Sequence, residues 1–372
     1  MATSARALDG GVRTLLVSLG VGSATVAPAV LGGLVAGLYA VVASVSYPSL
    51  IFSGELAAYQ ATGIGMALLG TVILATVMAL TSSFPGTVAA AQAEPAVVLG
   101  VMAGSVTAGL GGAAASGAAL LPTVVVLIVL SAAALGLVLL LLGTFGLANL
   151  IRFVPYPVIG GFLAGIGWLV FQGGFSALTA RPLRPENLAH MAEAETLIRW
   201  VPGMGLACVL WALQRWRRHY LNLPALVVVA ILAVWTAAWL AGASAADLRA
   251  GRWLLGPFPE GGLWTPLPHV AALGDADWGI VLRQAPQIGT LVVISLITVL
   301  LGASGLELAV RRDIDLNREL SAVGAGNLLS AFGGGFAGYH SLSASTLAAR
   351  VGGRPVRLVG LVVALLCLLT LA

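Results

Sequence analysis

Apolar residues run in long stretches along this chain, divided by short polar clusters, without the strict alternation of a half-buried strand. A helix needs about 20 such residues to cross the ~30 Å hydrocarbon core of a bilayer, and in lipid it must satisfy its own backbone groups. On that basis, spans are expected near 27–46, 60–82, 95–111, 122–146, 157–175, 197–214, 222–241, 284–309, 318–332, 341–349 and 355–372. Two of them break the pattern. The third, from Pro95, is short and rich in Gly and Ala; the tenth is too short and too polar to cross.

Composition sharpens this into a class. Hydrophobic residues make up 59% of the 372 positions and charged residues 9%, against about 25% charged in a soluble domain. An all-α polytopic protein in the lipid bilayer follows. All 18 basic residues are Arg, the net charge is +4, and the arginines sit in short clusters between apolar runs. That distribution reads as membrane topology, with no nucleic-acid partner. Arg152, Arg215, Arg217, Arg218, Arg311, Arg312, Arg318, Arg350, Arg354 and Arg357 fall on one side, expected to be cytoplasmic, of a bacterial inner membrane. Residues 1–26 read as a cytoplasmic lead-in without a cleavable signal. Loops 176–196 and 242–282 fall outside; the second carries Trp253, Trp264, Trp278 and the prolines Pro257, Pro259, Pro266 and Pro268. The closing run LVGLVVALLCLLTLA stops without a polar exit, so a truncated chain is expected. Cys208 and Cys367 lie in apolar runs and suggest neither a disulfide nor a metal site. No Walker A pattern, His/Cys metal spacing or hydrolase triad occurs, so no enzyme, cofactor or metal is expected.

The interruptions carry the polar chemistry. In SSFPGTVAAAQAEPAVVLGVMAG, residues 82–104, Pro85-Gly86 breaks the chain, and Gln92, Ala93 and Glu94 precede Pro95. Proline suits the first helical turn because its missing N–H would lack a partner there anyway. A half-helix from Pro95 is expected to present the N–H groups of Ala96, Val97 and Val98 to a cavity. The second interruption, GGGFAGYHSLSASTLAAR at 333–350, holds Tyr339, His340, Ser341, Ser343 and Ser345 with no charge before Arg350. A helix from Ser341 or Leu342 would do the same from the other half. Two opposed helix N-termini at mid-membrane make an anion site, and matched breaks in two halves mark such sites in inverted-repeat transporters. For any single serine, close helix packing or a bond to its own backbone is at least as good an account. The pairing of the breaks is what favours transport.

Several charged residues admit two readings. Glu307 stands one turn before Arg311-Arg312, either as a cavity-facing proton or cation site or as the i, i+4 partner of Arg311. Glu94 precedes Pro95, where a carboxylate satisfies N-terminal N–H groups and competes with an anion unless protonated. It is therefore a coupling site or a plug. Asp315 and Glu319 read as solvated partners of the cytoplasmic arginines, and His340 as a proton relay or a satisfied histidine.

The runs NLIRFVPYPVIGGFLAGIGWL (149–169) and RRDIDLNREL…GNLLSAFGGGFAGYHSLSASTLAARVGGRP (311–355) resemble the fifth-helix and ninth-to-tenth-helix signatures of the SulP (sulfate permease, SLC26-type) anion transporters. PGTVAAAQAEPAVVLG is similar to the third-helix start of a prokaryotic branch. The resemblance implies a seven-plus-seven inverted-repeat fold with half-helices 3 and 10, here stopping at about span 11. Spans 1–4 (27–148) and 8–11 (283–372) would form a core domain, spans 5–7 (149–241) a gate domain, and 242–282 an external loop. Spans 12–14 and a cytoplasmic STAS domain would be missing. By position, the substrate site falls on Tyr47, Gln92, Glu94, Ala96, Val97, Tyr339, His340, Ser341, Leu342 and Ser343. Ser304 stands where many members carry an acid, so Ser304, Glu307 and Glu94 become the candidates for the coupling ion. Ala344 replaces an Arg that often follows the tenth-helix serine, and Glu94-Pro95 a Gly-Pro. The implied activity is secondary active transport of inorganic anions, sulfate first and bicarbonate next, with H+ or Na+ as co-substrate and a homodimer as the full-length form. An uncoupled channel, a dicarboxylate or nucleobase permease, and a membrane sensor or scaffold are the alternatives.

Overall fold

Eleven principal helices and two short strands account for most of the chain among its described residues. They are α1 (Ser23–Ser46), α2 (Gln60–Thr81), β1 (Ala89–Ala91), α3 (Ala93–Leu110), α4 (Leu120–Thr144), α5 (Tyr156–Thr179), α6 (Ala194–Trp216), α7 (Asn222–Leu240), α8 (Ala285–Val310), α9 (Leu316–Gly333), β2 (Gly338–His340), α10 (Leu342–Gly352) and α11 (Leu358–Leu371). The computed structural model describes residues 23–110, 119–149, 156–179, 183, 185–216, 219, 222–250, 253, 268–353 and 355–372. Most of the expected lead-in, Arg152, Arg217, Arg218, Arg354, Trp264, Pro257, Pro259 and Pro266 lie outside them. Each expected span has its helix, with ends shifted by four residues at most. Six of the described helical stretches are long and apolar enough to cross a membrane, from Thr25–Ile51 to Ala285–Val310. The protein is an integral membrane protein.

Local chemistry sets where the helices stop. Asp315 caps α9, its carboxylate accepting from the N–H groups of Asn317 and Arg318 at 3.0 and 3.1 Å. The other end of α9 closes at Gly334, whose φ of +79° suits glycine. There Gly334 N–H reaches the Ala331 carbonyl and Gly335 N–H the Ser330 carbonyl, a Schellman closure that turns the chain toward β2. The last carbonyls of α2 are met by arginines: Arg318 Nε donates to Thr81 at 2.7 Å, and Arg357 donates to Leu80. Two of the charges that mark topology thus also finish a helix, on the end where the dipole favours a cation.

Two packed clusters form the interior. In one, α4 and α9 run antiparallel in close contact, with α3 and α8 against them; in the other, α1, α2, α10 and α11 pack together. The α4–α9 contact depends on missing side chains. A Cβ on Gly324 would stand 2.3 Å from the Leu140 nitrogen, and one on Gly136 would stand 2.6 Å from the Leu328 nitrogen. Small residues bring backbones together in membranes, where no hydrophobic drive separates helix from lipid. Gly324→Leu is expected to force the pair apart and destabilise the protein by about 3 kcal/mol or more, at or above the upper end for overpacking. Gly289→Leu, where a Cβ meets nothing within 4 Å, is expected to stay within ~0.5 kcal/mol of the parent. Thermal unfolding in detergent compares the two.

Helices α5 to α7 stand apart from this body. They touch it mainly where α5 meets α3 and the one-turn helix Pro48–Ile51. The apolar residues of α6 and α7 face outward, with Trp211, Trp239 and Leu232 at least 59% exposed, as lipid-facing helices require.

Candidate functional site

The two interrupted segments meet. β1 and β2 pair antiparallel, with Ala89 opposite His340, Ala90 opposite Tyr339 and Ala91 opposite Gly338. The all-helix reading of the sequence does not include these strands. Three alanines carry no strand signal, and their partner lies some 250 residues away in sequence. The pairing satisfies backbone that would otherwise be bare at this depth.

Polar side chains from four helices complete the job. Asn327 on α9 accepts from Gly338 N–H at 3.0 Å and donates to the Gly338 carbonyl at 2.7 Å. Thr71 on α2 accepts from Ala91 N–H at 3.0 Å and is hydrogen-bonded to Ser44 on α1 at 2.8 Å. Beyond the strands, Ser341 N–H donates to the Val88 carbonyl at 2.8 Å, while Val88 N–H donates to Ser345 Oγ on α10 at 3.0 Å. Asn327, Thr71, Ser44 and Ser345 are all fully buried. Sequence reasoning passed over Asn327, Thr71 and Ser44; a polar side chain inside an apolar span was the available signal.

A half-helix leaves from each strand. The first, α3, starts at Ala93, two residues before the expected Pro95. Its first hydrogen bond runs from Ala96 N–H to the Gln92 carbonyl at 3.4 Å. The N–H groups outside the helical ladder are therefore those of Ala93 and Glu94, since Pro95 has none. Ala96 N–H, expected to face a cavity, is thus taken up by the Gln92 carbonyl, while Val97, 6% exposed, lies at the wall of a cavity between α3 and α5. The second, α10, starts at Leu342 with Ser341 as its cap, Oγ accepting from Ala344 N–H at 3.3 Å. Leu342 and Ser343 supply its outward N–H groups; Leu342 is half-buried and Ser343 exposed.

The residues between these two termini connect them. Tyr339 donates from its hydroxyl to Glu94 Oε2 at 2.8 Å. Gln92 Nε2 donates to the Tyr339 carbonyl at 3.1 Å, across the strand pair. Tyr47, at the end of α1, lies within electrostatic reach of Glu94 and next to Tyr39. Tyr47, Gln92, Glu94 and Tyr339 thus form one group beside the first turn of α3. His340 departs from it. Successive strand residues point to opposite faces, and its ring packs against Gly302 of α8, 3% exposed, with neither ring nitrogen hydrogen-bonded to protein. Ser304 and Glu307 flank Gly302 and Gly305, the α8 positions that meet β2 and α10, and among the described residues neither side chain hydrogen-bonds to those elements. Among the described residues Glu307 forms no ion pair with Arg311.

Glu319 overturns its sequence reading. It is 2% exposed, and its Oε1 accepts from Ser82 Oγ, Ser83 N–H and Ser83 Oγ at 2.7–2.8 Å. The carboxylate ties the start of α9 to the chain leading into β1, a task that needs acceptors more than a solvated charge.

Comparison with known proteins places this geometry. The model of the sulfate permease family matches residues 15–372. The chain belongs to that family. Its solved relatives carry the same inverted-repeat transporter fold. The transmembrane domain of the cyanobacterial bicarbonate transporter BicA gives a TM-score of 0.62 at 19% identity, covering 94% of this chain and 83% of that one. The anion transporter Slc26a9 of mouse gives 0.66 at 15% identity, covering 93% and 56%. Curated relatives include the vacuolar basic amino acid transporter VSB1 of Saccharomyces cerevisiae, 25% identical over 58% of this chain and 22% of that protein. A probable sulfate transporter of Mycobacterium tuberculosis is 26% identical over 59% of this chain and 38% of its own length. The matched region thus spans well under half the length of these curated relatives.

Proposed function

We propose that the protein is a secondary active transporter of small inorganic anions, sulfate first and bicarbonate next, as its mycobacterial and cyanobacterial relatives are named. One observation carries this reading: the N-termini of α3 and α10 leave the same strand pair within the membrane-embedded body. Such termini bind anions through N–H groups and dipoles without a full opposing charge, so the anion can leave again. On this reading the body formed by α1–α4 and α8–α11 is the moving core, α5–α7 belong to the gate, and the core shifts past the gate to expose the site on alternate sides. A cavity of about 550 Å³ between α3 and α5, reaching from Val97 to Ser105 and Ser176, is a route of the right size for a small solute. A proton on Glu94 accompanies the anion, because an ionised Glu94 beside Tyr339 would repel it.

Uptake of labelled sulfate and bicarbonate into proteoliposomes of the purified protein tests this. Accumulation driven by a proton or sodium gradient is expected. Ser341→Ala and Ser343→Ala are each expected to weaken the anion about fivefold, the size of one hydrogen bond of ~1 kcal/mol. Folded protein that takes up neither anion would refute the reading, and unchanged affinity in both variants would move the site away from α10.

A further inference from the structure

The two helix termini at the site are not electrically equivalent. The first turn of α3 already contains an acid, Glu94, at a position where the helix dipole favours a carboxylate. Its Oε2 is held by the Tyr339 hydroxyl at 2.8 Å. Its Oε1, like the Oε1 of Gln92 two residues before it, accepts no hydrogen bond among the described residues. The first turn of α10, Leu342-Ser343-Ala344, contains no acid, and the first charge along that helix is Arg350 in its last turn. One terminus therefore offers backbone donors alone, and the other adds a carboxyl group to them.

The titratable groups in reach of Glu94 are Tyr47, just past the end of α1, and Tyr339 of β2, with Tyr39 of α1 beside Tyr47. His340, next in β2, points to the other strand face against α8, where Gly302 meets it. No arginine or histidine is paired with Glu94 among the described residues. A bare anion on α10 is opposed by this carboxylate until the carboxylate takes a proton. A solute that brings its own positive charge is not.

We infer that the site also takes amino acids, the carboxylate lying on the first turn of α10 and the ammonium on Glu94. This deepens the transport reading above and rests on its placement of the anion subsite at α10. Glu94 then acts as a charge selector: ionised, it admits solutes with an ammonium; protonated, it admits inorganic anions. Lowering the pH exchanges one class for the other. The ammonium finds acceptors in Glu94 Oε1 and Gln92 Oε1, and an ammonium–carboxylate contact is of the strong, charge-assisted kind.

The test uses the purified protein in proteoliposomes and labelled glycine, leucine and arginine beside labelled sulfate, each measured across a pH series. At least one amino acid is expected to enter. Its deaminated acid and its decarboxylated amine should each compete at least tenfold more weakly, because each has one head only. Amino-acid uptake should fall, and sulfate uptake rise, as the pH is lowered. Glu94→Gln keeps an acceptor for Tyr339 but removes the charge. It is expected to cut amino-acid uptake at least tenfold and to raise downhill sulfate uptake, with proton-driven accumulation of sulfate and the pH dependence of both lost. Sulfate uptake by the wild type without uptake of any amino acid overturns the inference and leaves the anion reading standing. An equal loss of both activities in Glu94→Gln also overturns it, because the side chain would then be holding structure alone. Folded protein that moves neither class removes the anion reading as well.

Discussion

Replacing Asn327 by leucine is expected to abolish transport and to cost about 2–4 kcal/mol of stability, as two buried backbone groups lose their partners. Among the described residues the amide is the one side chain that holds both the N–H and the carbonyl of Gly338, at 3.0 and 2.7 Å. Leucine matches its size but offers neither donor nor acceptor, and at 0% exposure water does not replace them. The loss spreads along a defined path. Gly338 pairs with Ala91, Tyr339 follows it, and the Tyr339 hydroxyl and carbonyl hold Glu94 and Gln92. A slip at Gly338 therefore misplaces the side chains between the two half-helices. Asn327→Asp keeps the acceptor for Gly338 N–H and loses the donor, so an intermediate loss is expected. Thermal unfolding in detergent and sulfate uptake read the series together. Wild-type stability in Asn327→Leu would show that the strand pair stands without the amide.

How much of this was legible beforehand differs by kind of interaction. The helix ends were readable because their causes are local. Ser341 and the glycines at 333–335 sit where a cap and a helix stop need them, whereas Asp315, read as a solvated partner of the arginines, turns out to be the cap of α9. The convergence of the two breaks was readable from their matched positions and from the family resemblance. The strand pair was not, because Ala89–Ala91 has no tendency of its own to be a strand and is one only where β2 lies beside it. Glu319 shows the same limit from the other side. Four residues after a helix cap and among arginines, it has the sequence of a surface acid, yet Ser82 and Ser83 come to it from 237 and 236 residues away. At the site itself, residue identity marked Glu94 and Tyr339 as polar groups in an apolar setting, but only their contact at 2.8 Å makes the first turn of α3 unlike that of α10.

A cysteine pair at positions 50 and 173, in a chain without Cys208 and Cys367, is expected to form a disulfide on oxidation and to cut uptake at least tenfold, with recovery on reduction. The Cβ that Gly173 lacks would stand 4.0 Å from Leu50 Cβ, within the 3.5–4.5 Å that a disulfide spans. Leu50→Cys and Gly173→Cys should therefore join without moving the backbone. The choice of pair follows from what each partner is fixed to. Leu50 belongs to the turn Pro48–Ile51, whose carbonyl at Leu50 lies 2.6 Å from where a Cβ on Gly100 of α3 would be. The ring of Phe52, just beyond, covers Gly63 of α2 so closely that a Cβ there would stand 2.3 Å from it. The turn thus rides with α2 and α3. On the other side, Gly160, Gly161, Gly165, Gly167 and Gly174 of α5 meet nothing within 4 Å, whereas Gly173 meets Leu50. This contact is a discrete point between the two bodies that the proposed cycle moves past one another. A bond there holds one end state and forbids the other, so the loss should appear as a lower maximal rate with binding of the anion retained. Cross-linked protein that still transports at the reduced rate would mean that α5 and the Pro48–Ile51 turn travel together, and the moving boundary would have to lie elsewhere.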